Sequence, residues 1–221
     1  SQNVLPGPGA TSTRVAGGTL VLGSDSDASH YTGSMTVDGA GTPDTPAALA
    51  PLAITDNGLV RFAQPTNASY TGLLSGSGGI EKTGAGTLTL TRDQAITGTT
   101  TISAGTLKLG TGVTGGKVDG PIVDNGALVI HRSDAVTFGA PISGSGSVTQ
   151  LGGGVTTFTA DNSYLGGTTI AAGTLQLGNG GFTGGVVGAV VNDAALGINR
   201  SNALTLAGPI SYVTARSGVE A

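Results

Sequence analysis

VDNGALVIHRSDAVTFGAPIS at Val123–Ser143 is answered by VNDAALGINRSNALTLAGPIS at Val191–Ser211, a step of 68 along the chain (191 − 123 = 68). Counted from Ile122–Ser143 against Val190–Ser211, 11 of 22 positions are identical. The same step joins SAGTLKLG at Ser103–Gly110 to AAGTLQLG at Ala171–Gly178 (173 − 105 = 68 for the shared glycine). A fainter copy, TDNGLVRF at Thr55–Phe62, precedes VDNGALVI by the same distance (124 − 56 = 68). A fixed internal period of this kind signals a repeat architecture, and the question becomes which one.

Composition narrows the choice. Glycine is 41 of 221 residues, charged residues are 10%, and there is no Trp, no Cys and one Met. Nine prolines are too few for a Pro-rich disordered chain, and the Gly-X-Y register of collagen is absent. Apolar residues make up 38%, chiefly Val, Leu, Ile and Ala, which suits a core shaped as a narrow column. Glycine interrupts every window that could carry a 3.6-residue apolar stripe. Thr87-Leu88-Thr89-Leu90, Thr106-Leu107-Lys108-Leu109 and Thr174-Leu175-Gln176-Leu177 instead alternate polar and apolar, two Leu to one face. Glycine-rich turns follow each of these strands.

Short, evenly spaced, repeated strands fit a sandwich, a propeller or a solenoid. The unit divides at glycine turns into three near-equal segments, Gly144–Gly166, Gly167–Gly188 and Ala189–Ser211. Coils of roughly 20–25 residues suit a parallel β-solenoid, in which each strand pairs with its equivalent one coil above at about 4.7–4.9 Å. Propeller blades are shorter than this unit and usually carry aromatic signatures. The expectation is therefore an all-β, right-handed parallel β-helix of about nine to ten coils, roughly 45 Å long. The repeating unit would span three coils, with Leu175 stacked directly over Leu107. Asp56-Asn57-Gly58 and Asp124-Asn125-Gly126 read as turns, since Asn and Gly tolerate left-handed backbone.

Ser75–Gly110, SGSGGIEKTGAGTLTLTRDQAITGTTTISAGTLKLG, resembles the autotransporter-associated β-strand repeat, also called the passenger-associated transport repeat. Gly76, Gly78, Lys82, Gly84, Gly86, Thr87, Leu88 and Leu90 carry its first half; Gly98, Thr100, Gly105, Thr106, Leu107, Leu109 and Gly110 carry its second. The copy at Ser143–Gly178 departs with Gln150 in place of Lys and Val155-Thr156 in place of Thr-Leu, and restores the family's Tyr at Tyr164 where the first copy has Ile96. The resemblance implies a β-helix passenger exported through a Gram-negative outer membrane by type V secretion and presented at the cell surface. The implied partners are its own outer-membrane β-barrel translocator, and a host-surface, matrix or self-association partner. The implied role is a rigid stalk or adhesin shaft that aids secretion-coupled folding; the alternative is a β-helix enzyme acting on polysaccharide.

Zero cysteines suit passage through an oxidising periplasm. A net charge of −4 argues against nucleic acid or an anionic membrane as partner. The longest mostly apolar run, Ala47–Ile54, is far short of the ~18 residues of a spanning helix, so no membrane insertion by this segment is expected. No signal peptide opens the chain and no barrel strands close it, which reads as a fragment without the two secretion devices. Residues 1–13 read as a flexible leader, 14–211 as the β-helix, and 212–221 as a non-repeating tail or cap. Gly18 and Gly105 occupy the same place in their boxes, 87 apart (105 − 18 = 87). The excess of 19 (87 − 68 = 19) is assigned to a lateral insertion at 24–53, which holds Asp25, Asp27, His30, Tyr31, Met35, Asp38 and Asp44. A partner-binding loop, a solvated loop and an irregular coil all fit that stretch.

Catalytic signatures are missing. The two histidines are His30 and His131, and His131 corresponds to Asn199 one unit on. Neither a metal-ligand spacing nor Gly-x-Ser-x-Gly occurs. Gly115-Gly116-Lys117-Val118-Asp119-Gly120 is a poor match to a calcium nonapeptide. Asp93 and Asp161 lie a full unit apart, too far for the carboxylate pair of a glycoside hydrolase. A flat Thr ladder begun at Thr87, Thr89 and Thr91 is interrupted by Lys108 and Val129. The sequence thus nominates no catalytic, cofactor-binding or metal-binding residue, and the chain is expected not to be an enzyme.

Overall fold

The computed structural model describes residues 65–212 without a break, 53–56 and 58–63 before them, and the backbone of three earlier strands, Ser12–Ala16, Ser34–Asp38 and Ala47–Leu49. The described residues form 23 strands and no helix. All the pairings are parallel, and each strand pairs with the strand one coil away. The registers pair Leu88 with Leu107, Leu107 with Leu128 and Thr168 with Val190. The coil lengths are therefore 19, 21 and 22 (107 − 88, 128 − 107 and 190 − 168). The chain is a parallel β-solenoid wound in the right-handed sense, the hand that strand crossovers of this kind take.

Each coil visits three faces in turn. The first is a seven-stranded sheet ending at Ile142–Ser143, and the second a nine-stranded sheet running from Ala47–Leu49 to Ile210–Ser211. The third is a three-stranded sheet ending at Ala95–Ile96, then a four-stranded sheet from Val136–Phe138 to Ala195–Ile198. Nine rungs at about 4.8 Å make a stack roughly 38 Å tall.

The alternating strands behave as their pattern dictates. Thr87–Leu90, Thr106–Leu109 and Thr174–Leu177 each bury both Leu and turn their polar residues outward. On the second face Ala68, Leu88, Leu107, Leu128 and Val148 form one inward column, each over the last. On the third face Phe138 meets Phe158 of the next coil edge to face, with centroids 5.9 Å apart. Each such side chain is sealed by the coils above and below, and removing it from water contributes about 1.5–3 kcal/mol.

One expectation is corrected. Leu175 does not stack over Leu107. Three rungs above Leu107, through Leu128 and Val148, stands Thr168 on the second face (168 − 107 = 61). Leu175 lies further along the same coil, on the third face, over Thr156. The unit is therefore three coils and one further face, so each copy is turned by one face relative to the copy below it. The faces are interchangeable because all three ask for the same alternating half-buried strand.

The outward column on the second face reads Ser69, Thr89, Lys108, Val129 and Thr149. Lys108 and Val129 do interrupt the threonines. Within 24–53, the strands Ser34–Asp38 and Ala47–Leu49 are rungs of the first and second faces. The rest of that stretch up to residue 52, including His30 and Tyr31, lies outside the described residues, as do 1–11 of the leader and 213–221 of the tail.

Candidate functional site

Two features recur with the unit: a capped corner and a pinned loop. The corner follows Gly79–Thr83 and its copy Ser147–Gln150. Lys82 is fully buried, and its Nζ donates to the carbonyls of Thr83 (2.8 Å), Gly84 (2.8 Å) and Ala104 (3.3 Å). Burial lowers its pKa to about 8. Gln150, its equivalent in the next copy, donates from Nε2 to Gly152 O (2.8 Å) and Gly154 O (3.3 Å). Its Oε1 accepts from Thr156 Oγ1 at 2.7 Å, where the earlier copy has Leu88. Either side chain holds inward-facing turn carbonyls that would otherwise be unpaired in the core. Gly105 closes the first corner and Gly173 the second, at φ 68° and 65°, each over backbone carbonyls that a Cβ would strike.

The pinned loop is the irregular part of each unit. It occupies 110–117 after Thr106–Leu109, and 178–185 after Thr174–Leu177. Arg132, only 5% exposed, donates from Nε and Nη2 to Asp134 (3.0 and 2.8 Å), and from Nη1 to Asp93 two coils below. Burial works against its charge, but hydrogen bonds and attraction from Asp134 and Asp93 outweigh that and raise its pKa. The same bonds hold Asp134 below the ordinary carboxylate range. Backbone bonds from Gly112 to His131 O (2.8 Å) and from Ser133 to Val113 O (3.3 Å) tie the loop to the next coil.

The copy repeats this design. Arg200 donates to Asn202 Oδ1 (3.1 Å), Asp161 Oδ1 (3.3 Å) and Phe182 O. Asp161 also accepts from Gly184 N (3.0 Å) and Gly185 N (2.8 Å). The Gly185 N–H is the first cause of its lowered pKa, with Gly184 and Arg200 adding to it. At their tips the loops expose Val113 (59%) and Phe182 (70%). Because the unit advances one face, the loops leave neighbouring corners of the rod.

The sequence did not nominate the arginines, although Arg132 and Arg200 are retained in His-Arg-Ser-Asp and Asn-Arg-Ser-Asn. Asp93 and Asp134 of one copy converge on Arg132. His131 is half-buried, with Nδ1 sealed and unpartnered. Lys117, in the stretch with the poor calcium match, pairs with Asp119 at 2.7 Å.

This arrangement, a parallel solenoid with an internal sequence unit, coincides with a known repeat family. The passenger-associated-transport-repeat family matches residues 17–42, 80–109 and 148–177. The chain is a repeat-bearing stretch of an autotransporter passenger, a class presented at the bacterial cell surface. It is 38% identical over 186 residues, 83% of its length, to "Adhesin BmaC autotransporter" of Brucella suis biovar 1 (strain 1330). It spans 5% of the length of that relative. No solved structure matches the chain.

Proposed function

We propose that this segment is a non-catalytic length of adhesin shaft, which holds pinned loops clear of the bacterial surface. The observation that carries this reading is the recurrence of the arginine pin with its chemistry altered. Asp134 becomes Asn202, yet the arginine, the loop and the partner two coils below are kept. A catalytic pair would need both acids, one of them able to donate a proton. Here one guanidinium holds both Asp93 and Asp134, and it favours the ionised form of Asp134. Positioning a loop needs only the arginine and an acceptor.

The name of the relative supports adhesion, and the repeats support a full-length protein whose own outer-membrane β-barrel carries the passenger out. A coil that buries its face only against its neighbours can also fold as it emerges, one rung after another. The test is to display the chain on an outer-membrane barrel and measure cell attachment at matched surface density. Val113→Ser with Phe182→Ser should lower attachment several-fold with display unchanged. Release of reducing ends from polysaccharide that is lost in Asp93→Asn or Asp134→Asn would overturn the reading in favour of the enzyme.

A further inference from the structure

Asp56, Asp124 and Asn192 stand one unit apart (124 − 56 = 68; 192 − 124 = 68). Oδ1 of each aspartate accepts the N–H two residues ahead, from Gly58 at 2.9 Å and Gly126 at 3.0 Å. Oδ2 of each is buried and meets no donor. The next coil closes over them with glycine: a Cβ on Gly78 would lie 2.2 Å from Asp56 Oδ2, and one on Gly146 2.4 Å from the Asp124 carboxyl. A carboxylate sealed in this way has lost water on one oxygen and gained nothing in return, whereas its neutral acid tolerates a dry corner. The third copy places the neutral isostere there, and Oδ1 of Asn192 is buried without a donor too.

We propose that Asp56 and Asp124 are proton-binding sites of the solenoid core, so that the coil stack gains stability as the pH falls from neutral to about 5. Burial pushes Asp124 up to about 6, against the N–H groups of Gly126 and Leu128. Burial raises Asp56 as well, against Gly58. A carboxyl whose folded pKa is raised contributes stability that is complete below its unfolded value and is lost as pH rises through the folded one. For Asp124 that loss is complete above about 6.

Other groups near these sites act elsewhere on the pH scale or can be controlled. Tyr164 feels the charge of Asp124, but it is held far above its ordinary range, with burial the main cause. Lys82 lies two rungs below Asp124 in the same inward column, with Ile102 between them. Its lowered pKa affects stability only between about 8 and the ordinary lysine value of 10.5. At Asp56 only burial and the Gly58 N–H act. Asp134 and Asp161 are lowered, so their effect falls below 3.8. His131 has the opposite sign in the same window, because burial and then Lys108 push it down from 6.5. His131→Asn, the residue found at Asn199, removes that contribution.

Urea unfolding of the chain carrying His131→Asn should give a folding equilibrium constant about ten-fold larger near pH 5 than near pH 7.5, from Asp124 alone. Adding Asp124→Asn should remove most of that gain. No gain in the parent, or a gain that survives Asp124→Asn, would overturn the proposal. Carbon-13 NMR titration of the Asp124 carboxyl in the unmodified fold gives a second reading. A midpoint near 6 supports the proposal, and one in the ordinary carboxylate range sinks it.

Discussion

Residues 82–100 and 150–168 build the same corner and the same pair of strands from different atoms. In the first copy Lys82 binds turn carbonyls and Leu88 stands at the position of Thr156; in the second Gln150 is bonded to Thr156. Ile96 precedes Thr100 in the first copy, and Thr100 Oγ1 is buried without a partner. At the matching positions Tyr164 and Thr168 share a 2.6 Å hydrogen bond. Side chains thus change in compensating pairs while the backbone path stays fixed. Among the residues the two copies share unchanged are the glycines that let one coil's backbone rest on the next, Gly86 and Gly154.

The largest expected effect tests that shared element. A Cβ on Gly86 would fall 2.1 Å from Thr66 O, and one on Gly154 2.1 Å from Asp134 O. Both atoms are backbone, so the coils must separate. Gly86→Ala and Gly154→Ala should each destabilise by about 3 kcal/mol or more in urea unfolding. Gly153, with nothing within 4 Å of an added Cβ, is the control, and Gly153→Ala should stay within about 0.5 kcal/mol. Tolerance at Gly154 but not at Gly86 would show that the two copies are not built alike.

The parallel solenoid was legible because alternation and the glycine turns are local signals, written into every coil. The phase between unit and coil was not. Dividing the unit evenly by three requires longer coils than the three that carry Leu107 to Thr168, which together span 61 residues (168 − 107 = 61), and nothing local distinguishes three coils from three and one further face. Only the stacking of Thr168, rather than Leu175, over the column of Leu107 decides it. The turn at Asp124-Asn125-Gly126 was readable, but its burial was not, since that depends on Gly146 one coil above. Arg132 escaped notice for a similar reason: its partner Asp93 is 39 residues away in sequence and meaningless until coils are stacked.

A smaller effect sharpens the idea of paired changes. Lys82→Gln places the side chain of the second copy into the surroundings of the first. Its Nε2 can reach the turn carbonyls, but its Oε1 faces Leu88 with no donor. The cost should be about 2 kcal/mol. Adding Leu88→Thr supplies the hydroxyl that Thr156 gives Gln150, and a double-mutant cycle in urea should show favourable coupling of about 1 kcal/mol. Additive effects would mean that the pair in the second copy is coincidence.

The smallest effect is the most discriminating, because it predicts a change of sign. Threonine occupies both 100 and 168, and both are buried. Thr168→Val strands the buried hydroxyl of Tyr164 and should cost about 1.5 kcal/mol. Thr100→Val deletes a hydroxyl that has no partner to lose and should be neutral or stabilising by up to about 1 kcal/mol. Combining Thr168→Val with Tyr164→Phe removes both ends of the bond and should recover most of the loss. If the two valine substitutions cost the same in thermal unfolding, threonine serves both columns by its shape alone, and the tyrosine of the second copy is a packing choice with no hydrogen-bonding consequence.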